Sequence, residues 1–373
     1  MSLLSSKKPS EDERYFQASQ WQLTWWKFQK HKMAMIGGVV IIFLYIFVIF
    51  CEFISPYTPT TRFRKYLYVN PQKMHFVHPE TGFRLRPFLY ATSRETDPDT
   101  FRRYFVEDQS KTFDIRFLVH GEPYKFWGIW EADIHLFGVD DNGPLFLMGT
   151  DRLGRDLFTR VIYGARISLS IGLVGIAITF ALGLFLGGLS GYLGGIVDTM
   201  IQRAIDLLIS IPHLPLWMAL AAALPRDWPP LRIYFGIVIL LSIIGWTGLA
   251  RVVRGKLLSL REEDFVIAAR LAGSNDLRII IRHLLPSFFS YIIVSLTMSV
   301  PGMILGETSL SFLGLGLQPP IVSWGVLLQD AQNVASVAHY SWLLLPCFFV
   351  IATVLAFNFL GDGLRDAADP YVR

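Results

Sequence analysis

The chain has 373 residues, of which 52% are hydrophobic and only 17% are charged, and its formal net charge is +4. A soluble domain of this length carries more charge, so the composition argues against a purely soluble protein. The apolar residues also gather in runs of about 20 residues, the length that an α-helix needs to cross a bilayer. The chain is therefore predicted to be an all-α membrane protein.

The N-terminal region is a polar tail, residues 1–32, followed by an apolar anchor, residues 33–54. In the tail, Trp21, Trp25, Trp26 and Phe28 alternate with lysines. At helical spacing they form an amphipathic stretch or an aromatic belt, both of which suit a membrane interface. Because about thirty residues precede the apolar run and no small-residue cleavage site follows it, the anchor is predicted to stay in place.

Six apolar runs are predicted to span the membrane. They are Met33–Ile54, Ile167–Val197, Ala204–Leu224, Ile233–Ala250, Ser287–Gly306 and Tyr340–Gly361. Basic residues are frequent before the first run and between the fourth and the fifth, whereas Glu307–His339 contains no lysine or arginine. The positive-inside rule then places both termini in the cytoplasm.

Two segments leave this topology open to alternatives. Arg152, Arg155, Arg160 and Arg166 lie on the predicted outer side, at the end of a loop longer than the ~60 residues over which charge sets orientation. The uncharged stretch Thr308–Gln329 is either a seventh span or an external hairpin that lies on or dips into the membrane surface. Its glycines and its two consecutive prolines favour the hairpin.

Residues 55–148 are predicted to be a mixed α/β external insert. The insert mixes charges of both signs with many aromatic residues, and its apolar runs in Phe113–Phe137 are short and broken by glycine and proline. Such runs are typical of small strands. Four histidines are spread along it, but no cysteine or carboxylate cluster completes a metal site, so no metal is expected there. They are His75, His78, His120 and His135.

The most informative segment is the polar loop 262–286, between predicted spans four and five. Phe265, Ala268, Ala269 and Ala272 fall at helical spacing and predict one apolar stripe. Gly273 suits a left-handed turn at the end of that helix.

A second helix is predicted to follow the glycine turn. It spans Asn275–Leu284, with Ser274 as its N-cap. Pro286 suits the first turn of span five. The loop is thus predicted to be a helical hairpin that leads directly into the membrane.

The spacing of Ala268-Ala269, Gly273 and Leu285-Pro286 resembles the coupling loop of ABC-importer permeases, the "EAA" loop that seats in the ATPase subunit. Two positions depart from the family pattern: Ile267 stands where the family has an acidic residue, and His283 stands where it has an apolar one.

The resemblance extends along about seven tenths of the chain. The stretches Gly149–Gly172, Gly306–Ala331 and Leu360–Pro370, and the tail with its anchor, are similar to dipeptide, oligopeptide and nickel importers. The specific match is to the second permease of such transporters. Residues 57–147 do not match clearly. The resemblance implies a type I permease core over residues 149–373 and a bacterial inner-membrane location.

A permease of this family implies partners: a homologous second permease, two ATPases and an external solute-binding protein. The chain has no G-x-x-x-x-G-K-[ST] motif, so no covalent catalysis and no bound cofactor are expected, with ATP and Mg on the ATPases. The residues expected to couple to an ATPase are Asp264, Phe265, Ala268, Ala269, Arg270, Gly273, Leu285 and Pro286.

Three residues in the spans are candidates for the translocation pathway: Glu307, Pro212 and Met298. Glu307 is ionisable in an uncharged setting, which indicates either a functional site or an interfacial carboxylate with a local partner. Pro212 and Pro215 are expected to kink span three. Gly183, Gly187 and Gly191 repeat every four residues, which favours close helix packing, although a hinge is an alternative.

The cargo is predicted to be a peptide, with nickel or an oligosaccharide as alternatives within the same transporter class. A membrane receptor or scaffold, whose external insert would be the working part, is the alternative from another class. A membrane enzyme is not favoured, because the predicted spans lack a nucleophile–base pair or a metal set.

Overall fold

The structure is a computed structural model that describes residues 20–368 except 80–81, 100, 102, 140–142 and 226. Residues 1–19 of the predicted tail lie outside the described part. So do residues 369–373, which include Pro370 of the C-terminal segment.

The described chain folds into helices with one β-sheet inserted after the third. The helices before the sheet are α1 (Gln20–Lys30), α2 (Lys32–Ile49) and α3 (Cys51–Ile54). The strands are β1 (His75–His78), β2 (Gly82–Thr96), β3 (Arg103–Phe126) and β4 (Trp130–Val139). The helices after it are α4 (Leu157–Leu193), α5 (Gly195–Ser210), α6 (His213–Ala222), α7 (Pro230–Leu260), α8 (Asp264–Leu271), α9 (Asp276–Ile279), α10 (Leu285–Ser287), α11 (Phe289–Phe312), α12 (Trp324–Leu328), α13 (Val334–His339) and α14 (Leu345–Ala368).

In the described part of the chain, five helical segments are long and apolar enough to cross a membrane. They are α2, α4, α7, α11 and the segment Ser341–Ala368 that ends in α14. A sixth is obtained only if α5 and α6 count as one span, and these two helices meet at 90°. The predicted third span is therefore broken, and the break falls at Pro212, which cannot continue the ladder of backbone hydrogen bonds.

Helix α4 begins ten residues before the predicted second span, Ile167–Val197, and ends at Leu193, before the predicted end of that span. The Asp156 side chain caps it by accepting the Thr159 N–H at 2.8 Å. Its 37 residues give a length of about 55 Å, well beyond the ~30 Å hydrocarbon core of a bilayer. Helix α4 is therefore longer than a single crossing of the bilayer requires.

Helices α4 and α7 pack closely along the glycine repeat of α4. A Cβ atom added to Gly187 would lie 2.6 Å from the Ala250 carbonyl oxygen, and one added to Gly183 would lie 2.8 Å from Leu249. Gly191 meets α7 in the same way, 2.9 Å from the Arg254 carbonyl oxygen. The predicted packing role of these glycines is confirmed.

The inserted region forms a four-stranded antiparallel sheet in the order β1-β2-β3-β4. Strand β3 is 24 residues long; its first half pairs with β2 and its second half with β4. Leu89, Ile115 and Leu145 form a small core against the sheet. Within the described residues of 55–148 there is no helix, so the helical part of the predicted mixed α/β insert is wrong.

The two ends of the described chain pack together. Gly37 of α2 faces α14 so closely that an added Cβ would lie 2.5 Å from the Ala356 carbonyl oxygen. Gly363 of α14 meets Ala34 in the same manner. The anchor helix is thus part of the main helical bundle.

Candidate coupling and translocation site

The predicted glycine turn is present in the loop 262–286. Gly273 has a φ of +78°, its N–H donates to the Arg270 carbonyl at 2.9 Å, and the Ser274 N–H donates to the Ala269 carbonyl at 3.1 Å. These bonds satisfy carbonyls at the end of α8. Glycine adopts this left-handed conformation at no steric cost, whereas most other residues are strained there, which explains the residue at this position.

The second helix of the hairpin differs from the prediction. Asn275, not Ser274, is the capping residue, because its Oδ1 accepts the Arg278 N–H at 2.9 Å. The helix also breaks into α9, a π-helical turn at Ile280–Leu284, and α10. Pro286 has no N–H to donate, and a proline ring in a helix clashes with the carbonyl four residues earlier, which favours the wider turn just before it.

Pro286 is exposed and lies in the short helix α10, not in the first turn of the spanning helix as predicted. Phe288, with a φ of −124°, separates α10 from α11. Leu285 beside it is half-buried. The hairpin therefore joins the membrane domain through an irregular elbow at residues 285–288.

The apolar stripe predicted on α8 is split between two faces. Val266 is fully buried and Ala269 is half-buried, whereas Phe265, Ala268 and Ala272 are exposed. Ile267 and Leu271 are also exposed, Leu271 at 85%. The outward face is consequently wider and more apolar than the predicted stripe.

The inward face of the hairpin is held by an apolar cluster. Val266, Ile279 and Leu284 are completely buried and pack with Leu257 of α7 and with Phe288. Phe180 and Leu184 of α4 and Ile292 of α11 join the cluster. Three long helices therefore share one core with the hairpin.

Tyr192, near the end of α4, ties both arms of the hairpin to that helix. Its hydroxyl donates to the Asp276 carboxylate, and the Arg270 guanidinium lies 5.9 Å from the centroid of its ring. Asp264 is exposed in the first turn of α8, where a negative charge is favoured by the helix dipole. The sequence did not single out Tyr192, since it lies 84 residues from its partner Asp276.

Glu307 of α11 is fully buried where α4, α11 and α12 meet. Three serine hydroxyls donate to its carboxylate: Ser323 at 2.7 Å, Ser311 at 2.8 Å and Ser168 at 3.2 Å. The Trp324 N–H in turn donates to Ser168 at 3.1 Å. Glu307 therefore has local partners, as one of its two predicted roles requires, and these partners are neutral hydroxyls. Its role in the translocation pathway stays a prediction.

The segment Thr308–Gln329 folds back onto the helices. Gly314 turns the chain with a φ of +76°, and Trp324 is completely buried with its Nε1–H donating to the Val161 carbonyl at 3.1 Å. Among the described residues it adds no further helix long enough to span a membrane, so the seventh-span alternative is wrong. Whether it touches the membrane surface stays a prediction.

The other two pathway candidates lie apart from Glu307 in the fold. Pro212 is exposed and precedes the first residue of α6, at the 90° bend. Met298 lies on α11 with 39% of its surface exposed, and its side chain packs against Gly361 of α14. Their roles in transport stay predictions.

Each arginine of the cluster before the second predicted span pairs with a carboxylate. Arg155 lies 2.7 Å from Asp151, which also pairs with Arg160. Arg166 makes two bonds to Glu52, of 2.6 and 2.7 Å, and Arg152 lies 3.0 Å from Asp330. Burial raises the pKa of Asp330, and the neighbouring Arg152 opposes that shift.

The inserted histidines have local partners. His135 is buried between the Ser55 and Glu122 carbonyls, at 2.5 and 2.9 Å, and His120 lies 2.9 Å from Asp133. Within the residues that the structure covers, no three His, Cys, Asp or Glu residues are grouped as metal ligands would be.

Comparison with known proteins identifies the helical core. Residues 165–373 match the family described as "Binding-protein-dependent transport system inner membrane component". The chain belongs to this family. Residues 19–71 additionally match the "N-terminal TM domain of oligopeptide transport permease C". The chain is thus a permease subunit of an ABC importer and a multi-pass membrane protein, as its resemblance implied.

Named relatives extend the match to nearly the whole permease. The dipeptide transport system permease protein DppC of Bacillus subtilis (strain 168) is 43% identical over 225 residues, covering 60% of this chain and 68% of that protein. DppC of Lactococcus lactis subsp. cremoris (strain MG1363) is 32% identical over 350 residues, covering 94% of this chain and 90% of that protein. That second alignment is long enough to include most of residues 57–147, so the insert is shared by at least one relative.

Two further comparisons are with a glutathione permease and with a solved transporter. The glutathione transport system permease protein GsiD of Escherichia coli O6:K15:H31 (strain 536 / UPEC) is 36% identical over 277 residues, covering 73% of this chain and 89% of that protein. A solved inward-facing MetNI methionine ABC transporter aligns with a TM-score of 0.45 and 18% identity, covering 57% of this chain and 97% of that chain. The second similarity is too low to add to the assignment.

Proposed function

We propose that this permease imports peptides, that it forms half of the translocation pathway with a homologous second permease, and that its hairpin 262–286 couples it to a cytoplasmic ATPase. The observation that carries the coupling proposal is the two-sided hairpin. One side of α8 is buried in the core of three long helices, and the other exposes Ala268, Leu271 and Ala272.

The hairpin has the properties of a lever. When ATP binding brings two ATPases together, the exposed face of α8 that rests on one of them moves. This movement reaches α4 through Tyr192. It reaches α7 and α11 through the buried cluster around Val266 and Ile279. Packed helices respond to such a push by switching between discrete arrangements. ATP and Mg belong to the ATPases, and this chain supplies binding surface and motion without a cofactor of its own.

The proposed topology places both termini and the hairpin in the cytoplasm of a bacterial cell, and residues 55–148 on the outer side of its inner membrane. An external solute-binding protein would deliver cargo on that side. The arginines that precede α4 do not oppose this arrangement, because loops longer than about 60 residues translocate largely regardless of their charge.

Peptides are favoured as cargo over nickel and oligosaccharides. The relatives are named for dipeptide, oligopeptide and glutathione transport.

The experiment that tests coupling replaces Gly273 with proline. Proline fixes φ near −65° and has no N–H, whereas Gly273 needs +78° and donates to the Arg270 carbonyl. We expect Gly273→Pro to reach the membrane in normal amounts but to lose uptake of a radiolabelled dipeptide and to lose the co-purified ATPase.

The matched control is Gly273→Asn, because asparagine tolerates the left-handed conformation and keeps the N–H. No side chain lies near a Cβ at this position, so the control adds no clash. It should retain most of the uptake. Normal uptake by Gly273→Pro would overturn the lever and direct attention to the receptor alternative, in which the insert is the working part.

A further inference from the structure

The turn between β3 and β4 is uncharged and strongly apolar. We call its residues 126–130, Phe-Trp-Gly-Ile-Trp, the hairpin tip. Ile129 and Trp130 have 69% and 66% of their surfaces exposed, and Trp127 has 48%. Trp127 and Gly128 turn the chain with φ values of 51° and 73°. A tight turn normally carries polar residues, so this composition calls for a reason.

The hairpin tip does not project away from the membrane domain but lies against the end of its first spanning helix. The Trp127 indole N–H donates to the Ile49 carbonyl, the last residue of α2, at 3.1 Å. Its backbone N–H donates to Glu52 Oε1 at 3.2 Å. Phe126 faces Phe50 with ring centroids 6.2 Å apart. The level of the tip is therefore fixed by α2.

That level is the edge of the apolar zone. Glu52 is the first acidic residue after the apolar run of α2, and Arg166 is the last charged residue before the uncharged run that begins at Ile167. These two residues pair with each other at 2.6 Å, and the Arg166 guanidinium lies 4.3 Å from the Trp127 ring centroid. The charged pair marks where hydrocarbon gives way to the headgroups.

Below this pair, Trp127 lines a groove of about 600 Å³ between the spanning helices. The groove walls are almost entirely apolar and include Leu173 of α4 and Leu231 of α7, which are 49% and 67% exposed. Exposed apolar side chains on membrane-spanning helices suit contact with hydrocarbon. The surface of the hairpin tip is thus continuous with an apolar surface of the spanning helices.

We propose that the hairpin tip is a membrane-interface anchor, and that Trp127, Ile129 and Trp130 insert among lipid headgroups and the first acyl carbons on the side where the sheet lies. Tryptophan is favoured at this depth, since its ring is apolar and its N–H is polar. Lys125 and Glu131, which flank the tip and pair at 3.3 Å, remain in the aqueous headgroup region. The anchor fixes the sheet at a set height and does not depend on the cargo.

Depth-dependent quenching tests this proposal. Ile129→Cys in a background without Cys51 and Cys347 would carry an environment-sensitive NBD fluorophore, and the full chain with its co-purifying subunits would be reconstituted in phosphatidylcholine vesicles. We expect a blue-shifted emission that lipids brominated high on the acyl chain reduce several-fold more than aqueous iodide does. Trp130→Cys is a second labelling site, should the first variant fold poorly.

Leu85→Cys is the matched control. Leu85 is an apolar residue of the same sheet, 88% exposed, but it lies between Arg84 and Arg86 on β2. Its probe should be quenched by iodide and not by brominated lipid. The proposal is overturned if probes at residues 129 and 130 behave like this control. It is also overturned if they leave water only when an external binding protein is added, because the tip would then be a protein docking surface.

Discussion

At the scale of single residues, Glu307 is the most unusual site. A carboxylate that is fully buried among three serine hydroxyls organises its neighbours, because each hydroxyl requires an acceptor once water is excluded. Ser323, which donates to Glu307, is the N-cap of α12. Ser168 of α4 accepts a hydrogen bond from the Trp324 N–H. Glu307 therefore holds the folded-back segment 313–323 against α4.

Two substitutions separate this positioning role from a role in transport. Glu307→Leu leaves buried hydroxyls without an acceptor, at about 1–3 kcal/mol each, and should strongly lower the melting temperature of the purified permease in nanodiscs. Glu307→Gln keeps one acceptor oxygen, and its amide can donate to Ser168, so most of the stability should remain.

Uptake by the glutamine variant is the discriminating readout. A purely positional role predicts nearly normal peptide uptake. Loss of uptake in a variant that melts like the wild type would instead assign the negative charge to the pathway. If glutamine destabilises as much as leucine, the hydrogen-bond account is wrong.

Residue-level prediction from the sequence succeeded where backbone conformation restricts the choice of residue. Gly273 was identified because few other residues tolerate its φ of +78°. The sequence does not decide between Ser274 and Asn275 as the N-cap, because both residue types cap helices equally well. The prediction of Ser274 is therefore wrong for a reason that only the structure shows. The serine partners of Glu307 lie up to 139 residues away, a distance over which a single sequence carries no pairing information.

At the scale of elements, the glycine repeat of α4 determines how close α7 can approach. Gly183, Gly187 and Gly191 face α7, whereas Gly188 has no neighbour within 4 Å of an added Cβ. The two helices therefore meet along one narrow face of α4. Arg254 of α7 extends this contact to α5 by binding both oxygens of Asp198, at 2.5 and 2.6 Å.

Alanine substitutions on neighbouring glycines test this face. Gly187→Ala places a Cβ 2.6 Å from a backbone oxygen of α7, so the helices must separate, at a cost of about 1–3 kcal/mol. Gly188→Ala meets open space and should be neutral, or stabilising by up to about 1 kcal/mol. Thermal unfolding in nanodiscs compares the two. Equal melting temperatures would contradict the packing assignment.

Elements were predictable where one physical signal dominated. The long apolar runs predict the spanning helices, and the two prolines Pro212 and Pro215 predict a bend in the third span, but its 90° angle depends on packing. The face of α8 that turns inward was not predictable. Helical spacing shows which residues share a side, but Val266 is buried because α7 and α11 happen to lie there.

At the scale of the whole molecule, the sheet and the coupling hairpin belong to opposite ends of the helical bundle in the proposed topology. Ser110 on β3 and Leu271 on α8 are both exposed and report on the two ends. In a cysteine-free background, Ser110→Cys should react with a membrane-impermeant maleimide in spheroplasts. Leu271→Cys should react only after permeabilisation. Labelling of both residues in intact spheroplasts would contradict the arrangement.

The close contact of α2 with α14 has a consequence for the order in which the permease is made. Gly37 and Ala34 emerge from the ribosome more than 300 residues before their partners Ala356 and Gly363. Helix α2 therefore enters the membrane long before α14, the helix it packs against, has been made. Until α14 has been made, small residues suited to close packing face lipid instead. A chain that stops before α14 thus leaves α2 without its packing partner, and the bundle can close only after α14 has entered the membrane.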